Sequence, residues 1–289
     1  MADAPMRWPH LEPQEFRAIR NAVRRASGIC LADDMRETVE RRLCERLQAL
    51  ALGSFAEYCR HLRDGSTGAQ ELERAVELLA TNETYFFREL PQLRAFERAV
   101  LPELHRMAGS RRTLTVWSAG CSTGEEAYTI AILIARSELF EGWSVRVIGS
   151  DISRRVVRFA RKGVYRGASF RALPPEYERH FVETPEGRAV DPALRAQCQF
   201  GHFNLLDASR AVIVGRVDAI FCRNVLIYFD EEARKTALDV FYERLQPGGY
   251  LMLGHSESLL QSGSPFELAR LSGDLAYRKP LTPFRGSQS

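Results

Sequence analysis

Long apolar runs, paired cysteines and a strong net charge are all missing from this sequence of 289 residues. No apolar run approaches the roughly 20 residues of a membrane-spanning helix, and the polar, proline-marked start lacks the core of a signal peptide. The six cysteines lie far apart without a C-x-x-C pair, which favours reduced thiols over disulfides or zinc. Cys198 and His202 lie four residues apart, but two ligands do not make a site, so we predict no metal. We expect a cytoplasmic protein that is not inserted in a membrane.

The composition favours a folded chain of one or two domains. Hydrophobic residues make up 45% of the sequence and charged residues 27%, which is enough apolar material for a substantial core. The net charge of +3 is too small to indicate a nucleic-acid partner. We therefore predict that no nucleic acid is bound, and a monomer is adequate for a chain of this size.

The first 80 residues have helical periodicity. Loops are predicted near 51–54 and at "DGSTG", 64–68, and "SG" at 27–28 ends the first helix. Apolar residues recur at i, i+3 and i+4 in four stripes, namely Phe16, Ile19, Val23 and Ala26; Met35, Val39, Leu43, Leu47 and Leu50; Phe55, Tyr58, Cys59 and Leu62; and Leu72, Ala75, Val76 and Leu79. These stripes predict an all-α N-terminal domain over residues 1–80, followed by a linker over 81–112.

From residue 113 to about 285, strands alternate with helices, which is typical of a parallel sheet. "FELARLSGDLAYRK" predicts a closing hairpin, and the proline-marked stretch 163–203 is too long for an ordinary connection, so we predict an inserted subdomain. The remaining predicted elements are the strands "TLTVW", "VRVIGSD", "VDAIFC" and "LQPGGYLMLG" and helices over 125–139, 153–161 and 231–245.

The segment "SAGCSTGEEAY", 118–128, is a glycine turn between a strand and a helix. A phosphate loop needs a lysine after its second glycine, but Gly124 is followed by Glu125. A dinucleotide fold places pyrophosphate at the helix N-terminus, where Glu125 and Glu126 would repel it. S-adenosylmethionine has no phosphate and carries two positive groups, so the turn suits this cofactor. The simpler interpretation is that both glutamates only complement the helix dipole.

Three further signals favour S-adenosylmethionine as the cofactor. Asp151 ends the second strand, where its carboxylate can accept both ribose hydroxyls. In "FNLLD", 203–207, Asn204 can meet the adenine edge. "LQPGG" before a strand is also common in class I methyltransferases. Each signal is weak alone, and their order along the chain is what is specific.

Polar residues also follow the strand "VDAIFC". Arg223 and Asn224 come directly after it, at the strand end where substrates bind in open α/β sheets, and Tyr228 lies close by. Methyltransferases of base amino groups often have Pro-Pro and an aromatic here, whereas Val225 and Leu226 leave no stacking platform for a flipped base. Tyr228 can equally be a core aromatic. In "TNETYFFRE", 81–89, the polar residues can either cap a helix or cover a cofactor cleft.

Together, "TNETYFFRE", "WSAGCSTGEEAY", "DAIFCRNVLIYF" and "GHSES" resemble the chemotaxis receptor glutamate methyltransferases, the CheR family, from about Leu11 to Lys279. The resemblance implies an α/β class I S-adenosylmethionine-dependent methyltransferase domain with a small inserted β-subdomain, preceded by the helical domain. It also implies that Arg88 and Tyr228 border the methyl-transfer site. The cofactor contacts that it implies are Asn82, Thr84, Arg88, Glu125, Asp151, Asn204, Leu205, Arg223 and Asn224.

The implied reaction is methyl transfer to glutamate side chains on the cytoplasmic helical domain of chemotaxis receptors. Family members dock through a basic second helix, which here has Arg41, Arg42 and Arg46 but is interrupted by Glu45 and Gln48. Some members also bind a receptor's C-terminal tether through the β-subdomain, and the compact "FVETPEGRAVDPAL" leaves this open here. The alternatives are a methyltransferase of nucleic acids or small molecules, and a cofactor-binding signalling module without turnover.

Overall fold

A computed structural model of the chain describes residues 9–260, 263–271 and 273–281. The described residues form two compact units. One runs as far as Thr81 and includes Tyr228–Ala233, and the other comprises Asn82–Ile227 and the residues from Arg234 onwards. Within the described ranges no helix is long and apolar enough to cross a membrane.

The N-terminal unit is all-α, as predicted, because each apolar stripe is buried against the other helices. Phe16, Ile19, Val39 and Phe55 are among its buried side chains. Gly28, predicted to end the first helix, takes a left-handed φ of 76°. The helices are α1 Pro13–Ser27, α2 Arg36–Ala49, α3 Phe55–His61 and α4 Gly65–Leu79.

The loop predicted at 64–68 is wrong, since α4 begins at Gly65. Gly68 is buried, and a Cβ at this position would lie 2.6 Å from the carbonyl oxygen of His61. This glycine therefore lets the start of α4 approach the end of α3 closely. The composition of "DGSTG" is typical of a turn, but its second glycine, Gly68, serves helix packing.

The second unit is α/β, as predicted. Its helices are α5 Leu90–Ala95, α6 Leu101–Ala108, α7 Glu125–Arg136, α8 Arg154–Lys162, α9 Pro192–Gln197 and, from Arg234 onwards, α10 Glu231–Arg244. A π-helical turn at Phe96–Val100 lies between the first two. Its strands are β1 Thr113–Ala119, β2 Ser144–Asp151, β3 Val164–Tyr165, β4 Phe181–Thr184, β5 Gly187–Val190, β6 Cys198–His202, β7 Val217–Cys222, β8 Leu245–Leu253, β9 Glu267–Leu271 and β10 Asp274–Arg278.

In the described residues the large sheet has the order β6-β2-β1-β7-β8-β10-β9. The first five strands are parallel, and β9 and β10 form the predicted antiparallel hairpin at one edge. The chain proceeds from β1 to β2 on one side and later returns to add β7 on the other. The carboxyl end of β1 is therefore a topological switch point, where open α/β sheets bind their ligands.

The inserted β-subdomain is a small antiparallel sheet in the order β3-β5-β4. The segment predicted as inserted, 163–203, also contains α9 and β6, and β6 pairs in parallel with β2 in the large sheet. The sequence "CQFGH" of β6 contains no β-branched residue and a single residue with high strand propensity, Phe200, so its own strand signal is weak.

The segment predicted as a linker, 81–112, contributes to the core of the second unit. Phe86 packs against Tyr165 and Phe181, with ring centroids 4.9 and 4.8 Å apart. Phe87 stacks on Tyr177 at 4.0 Å. The aromatic pair of "TNETYFFRE" thereby fixes the polar residues around it against the inserted sheet.

Candidate active site

The glycine loop between β1 and α7 has two positions that only glycine fits. Gly120 and Gly124 have φ of 80° and 96°. A Cβ on Gly120 would lie 2.4 Å from Cγ2 of Val225, and one on Gly124 would lie 2.8 Å from Cβ of Ala160. The backbone N–H of Gly120 also donates to the carbonyl of Ser150, at 2.8 Å. The loop is therefore held tightly over the carboxyl ends of β1 and β2.

Asp151, the last residue of β2, bonds this loop directly. Its Oδ2 accepts from the N–H of Ser122 at 2.8 Å, and its Oδ1 accepts from the N–H of Ser153 at 2.9 Å. The residue is 7% exposed. An ionised carboxylate is a hydrogen-bond acceptor only. Asp151 holds the loop, and its acceptor oxygens suit a ligand that offers hydroxyl donors.

The first turn of α7 holds two acids, of which Glu125 is buried and Glu126 is half-buried. Glu125 accepts from the hydroxyls of Thr123 at 2.6 Å and Ser169 at 2.9 Å. Glu126 accepts from the hydroxyl of Ser118 at 2.7 Å. Burial raises the pKa of Glu125 and, against the pull of Arg223, that of Glu126. These acids disfavour a phosphate at the helix start and favour a cation.

Arg223 lies between two carboxylates at the end of β7. Its Nη2 is 3.1 Å from Oε2 of Glu89, and its Nη1 is 3.3 Å from Oε2 of Glu126. Burial alone would raise the pKa of Glu89, but the nearby guanidinium outweighs it, and the pKa is lowered. The Arg223 side chain is 3% exposed, and its Nε has no hydrogen-bond partner in the described part of the chain. This buried donor suits an acceptor on a ligand.

Glu257 fixes the turn that follows β7. Its Oε2 accepts from the N–H groups of Asn224 at 2.8 Å and Gly254 at 2.7 Å. Its Oε1 accepts from those of Val225 at 3.0 Å and Ile227 at 3.2 Å. One buried carboxylate thus satisfies four backbone donors and joins the end of β8 to the turn at Asn224.

Strained backbone conformations occur in the same segments. Asn224, Ser122, Phe87 and Glu89 have φ of 59°, 49°, 61° and 57°, in the left-handed region that favours glycine. Such conformations cost free energy and persist only where the surrounding structure holds them. Here the bonds from Glu257 and Asp151 hold two of the four.

Comparison with known proteins accounts for this architecture. Residues 82–273 match the CheR methyltransferase, SAM binding domain, and residues 14–80 match the CheR methyltransferase, all-alpha domain. The chain belongs to the CheR methyltransferase family. Its methyl donor is S-adenosylmethionine, as predicted, and its function is methylation in chemotaxis.

Three similar proteins match nearly the whole chain. Chemotaxis protein methyltransferase 2 of Vibrio cholerae is 34% identical over 270 residues, covering 92% of this chain and 93% of the relative. Chemotaxis protein methyltransferase 2 of Pseudomonas aeruginosa is 36% identical over 273 residues, covering 93% and 94%. The chemotaxis protein methyltransferase of Salmonella typhimurium is 38% identical over 264 residues, covering 89% and 88%.

The residues of this CheR family member fit S-adenosylmethionine. The carboxylate of Asp151 suits ribose hydroxyls, and the acids of α7 suit a molecule with an ammonium and a sulfonium. The unsatisfied Nε of Arg223 suits an acceptor such as the cofactor's carboxylate. Among the residues that the structure describes, no group of three or more His, Cys, Asp or Glu could hold a metal ion.

Several other predicted cofactor contacts lie near these residues. The carbonyl of Asn82 accepts from the hydroxyl of Ser122 at 2.9 Å. The N–H of Phe203 donates to the carbonyl of Asp151 at 3.0 Å, which places Asn204 and buried Leu205 beside the end of β2. The side-chain oxygen of Asn204 accepts from the N–H of Leu206 at 3.0 Å. These contacts place the segments, and the cofactor roles remain proposals.

Two predicted residues of "TNETYFFRE" remain, Thr84 and Arg88. Thr84 is partly exposed. Arg88 donates to the carbonyl of Glu83 at 3.0 Å, and its guanidinium lies 5.9 Å from the ring centroid of Tyr85. The carbonyl of Arg88 also accepts from Arg223. Arg88 is therefore tied to the ion pairs of Arg223 through its backbone, while its side chain is held locally.

Tyr228 is grouped with the N-terminal unit, where its carbonyl accepts from the N–H of Cys30 at 2.7 Å. Its predicted place at the methyl-transfer site stays a prediction.

The predicted docking residues on α2 do not share one exposed face. Arg46 bonds both carboxylate oxygens of buried Glu71, at 2.9 and 2.6 Å. Arg42 donates to the carbonyls of Leu78 and Leu79, at 3.1 and 3.2 Å, at the end of α4. A buried carboxylate needs a cation, and helix-terminal carbonyls need donors, so these two arginines face α4. Arg41 is exposed, and its docking role remains a prediction.

Glu89, Glu126 and Glu257 were not among the predicted site residues. Glu126 lies beside Glu125 in the glycine loop, and Glu257 lies in "GHSES" after a predicted strand, so both had a positional signal. Glu89 had only its place in "TNETYFFRE". All three act on other site residues: two bind Arg223, and Glu257 holds Asn224.

Proposed function

We propose that this chain transfers a methyl group from S-adenosylmethionine to glutamate side chains on the cytoplasmic helical domain of chemotaxis receptors, forming methyl esters. Family membership and the relatives' names support a chemotaxis substrate. The bonding state of the acids at the strand ends supports a carboxylate as the acceptor of the methyl group.

The five acids described above at the switch point all have hydrogen-bond donors. Asp151 and Glu257 bind backbone N–H groups, and Glu125 binds two hydroxyls. Glu89 and Glu126 share Arg223. None of these carboxylates is placed as a free general base. A glutamate side chain, with a pKa near 4.3 in water, is already ionised and needs none, whereas an amine or hydroxyl acceptor must lose a proton. This observation favours glutamate.

The residues contribute by binding and orientation. The bound cofactor supplies an electrophilic methyl group on its sulfonium. We propose that Asp151 holds the ribose, Asn204 and Leu205 the adenine, and Arg223 and Asn224 the amino-acid end. Holding two reactants in line can lower a barrier by on the order of 7–11 kcal/mol in the best cases.

The other proposed roles concern the positive groups and the substrate. We assign Glu125 to the cofactor's positive groups and Asn82 and Thr84 to the cover of the cleft. Arg88 and Tyr228 border the incoming carboxylate. An arginine that bound this carboxylate too tightly would stabilise the ground state, so a bordering position suits Arg88 better than a direct pair.

Incubation with labelled cofactor and receptor-bearing membranes tests this function. We expect base-labile label on receptor glutamates. Because the nucleophile is ionised well below neutrality, kcat should stay constant between about pH 6 and 9 and fall only as the pH approaches about 4–5. Label on nucleic acid, or a rate that rises tenfold per pH unit through neutrality, would contradict glutamate methylation. Binding without transfer would support a non-catalytic module.

Replacement of Asp151 by alanine should weaken cofactor binding. Loss of a charged acceptor costs on the order of 1.5–3 kcal/mol, which is roughly 10- to 100-fold in Kd. Calorimetry with S-adenosylhomocysteine measures this effect directly. Asp239→Ala, which removes an exposed acid on α10, is the matched control and should leave Kd unchanged. Equal affinities for both variants would remove Asp151 from the cofactor site.

A further inference from the structure

Helix α8 carries an unusual concentration of positive charge. Its nine residues, "RRVVRFARK", contain Arg154, Arg155, Arg158, Arg161 and Lys162 and no acid. Val156, Val157 and Ala160 are buried, and the five cations are exposed. The helix is thus strongly two-sided, with an apolar face on the sheet and a cationic face towards solvent.

Most of this charge is not neutralised inside the protein. Arg155, Arg158 and Lys162 take part in no ion pair within residues 9–260, 263–271 and 273–281. Arg161 is occupied, because it donates to the carbonyl of Phe200. The three unpaired cations recur at i, i+3 and i+7 and therefore lie along one side of the helix.

The first turn of α8 opposes its own helix dipole. Helices α7 and α10 both begin with two glutamates, as the positive end of a helix favours. Helix α8 instead begins with Arg154 and Arg155. Arg155, which has no ion pair in the described part of the chain, is unfavourable at this end by a few tenths to about 1 kcal/mol. An anionic partner would remove that penalty, whereas a face exposed only to solvent would retain it.

An aromatic side chain lies within the same surface. Phe159 is 41% exposed and lies between Arg158 and Lys162 on the solvent side of the helix. Arginine and aromatic residues are enriched at the centres of protein interfaces, where they account for much of the binding energy. The combination is more typical of a protein contact than of a nucleic-acid groove, which would place several aromatics among its cations.

We infer that Arg155, Arg158, Phe159 and Lys162, here called the α8 basic face, form a docking surface for an acidic helix of the receptor. The inference rests on the proposed function, because a receptor segment whose substrate residues are glutamates is itself anionic. The three cations span about 10 Å of helix, which matches carboxylates spaced by three to four residues on a parallel or antiparallel partner. Helix α8 begins three residues after Asp151, so a docked helix would lie close to the cofactor site.

Charge reversal on full-length enzyme tests this surface. Arg155→Glu combined with Arg158→Glu should raise KM for a soluble cytoplasmic receptor fragment about tenfold at low salt, with a smaller change at high salt. The value of kcat at saturation and the Kd for S-adenosylhomocysteine should not change. Arg94→Glu with Arg98→Glu changes the charge equally on another exposed surface of the same unit and is the matched control. Its KM should stay within about twofold of the parent.

The outcomes separate this inference from the proposed function. Equal KM values for the α8 variant and its control would overturn the docking surface. Binding of phosphatidylserine vesicles or duplex DNA that the α8 variant loses, with receptor KM unchanged, would also overturn it. If the parent enzyme methylates no receptor glutamate, the proposed function fails, and direct calorimetric titration of the receptor fragment still decides whether the α8 basic face binds it.

Discussion

Replacement of Glu257 by alanine should lower the free energy of unfolding by about 3–5 kcal/mol and kcat/KM by at least roughly 100-fold. The carboxylate accepts from four backbone N–H groups, and each buried donor left without an acceptor costs about 1–3 kcal/mol, partly recovered where water enters. Without these bonds, the left-handed φ of 59° at Asn224 is no longer stabilised, and the turn after β7 should change conformation. Urea unfolding and steady-state kinetics measure the two effects.

Two companion variants sharpen the Glu257 experiment. Glu257→Gln keeps one carbonyl oxygen but presents an NH₂ group to the other N–H donors, so its stability should lie between those of the parent and the alanine variant. Glu243, whose side chain is 64% exposed, provides the control, and Glu243→Ala should change stability by less than about 0.5 kcal/mol. If Glu257→Ala behaved like Glu243→Ala, Glu257 would not hold the turn.

The parts of the fold predicted from sequence depend on local periodicity. The spacing of Phe16, Ile19 and Val23 predicts one apolar face of an amphipathic helix, and this face is buried. The order of strand, glycine turn and helix around Gly120 and Gly124 was also predicted from the sequence. Both glycines have positive φ and no space for a Cβ, so glycine is required at each position. The length of the proline-marked stretch 163–203 predicted an inserted subdomain, and the resemblance added that it is a small β-subdomain.

The parts that were missed depend on contacts distant in sequence. Arg46 could be read as an exposed cation until α4 placed Glu71, 25 residues away, against it. The four donors to Glu257 come partly from a turn about 30 residues earlier in the chain. Strand β6 takes its identity from pairing with β2 rather than from its own composition. Periodicity predicts which face of an element is buried, but it does not specify the partner.

Arg223→Met should make the protein less stable as the pH rises, whereas Glu89 in the parent makes it more stable as the pH rises. In the parent, the guanidinium lowers the pKa of Glu89, so the stabilisation from this carboxylate is present above its unfolded-state pKa and is lost as the pH falls through its folded-state pKa. Without Arg223, burial and the repulsion of Glu126 raise both pKa values above about 4.3. The folded state then binds protons more tightly than the unfolded state, and stability increases as the pH falls.

The loss in Arg223→Met should therefore be largest at neutral and alkaline pH, at about 3–5 kcal/mol, and should shrink between about pH 7 and 5 as Glu89 and Glu126 take up protons. Unfolding free energies across this range measure it. Adding Glu89→Gln and Glu126→Gln removes the uncompensated charges, so the triple variant should recover much of the stability and lose the pH dependence. Cofactor affinity should not recover with it, because the Nε donor of Arg223 is still missing. A parent-like pH profile in Arg223→Met would mean that the two glutamates do not depend on Arg223 for their ionisation.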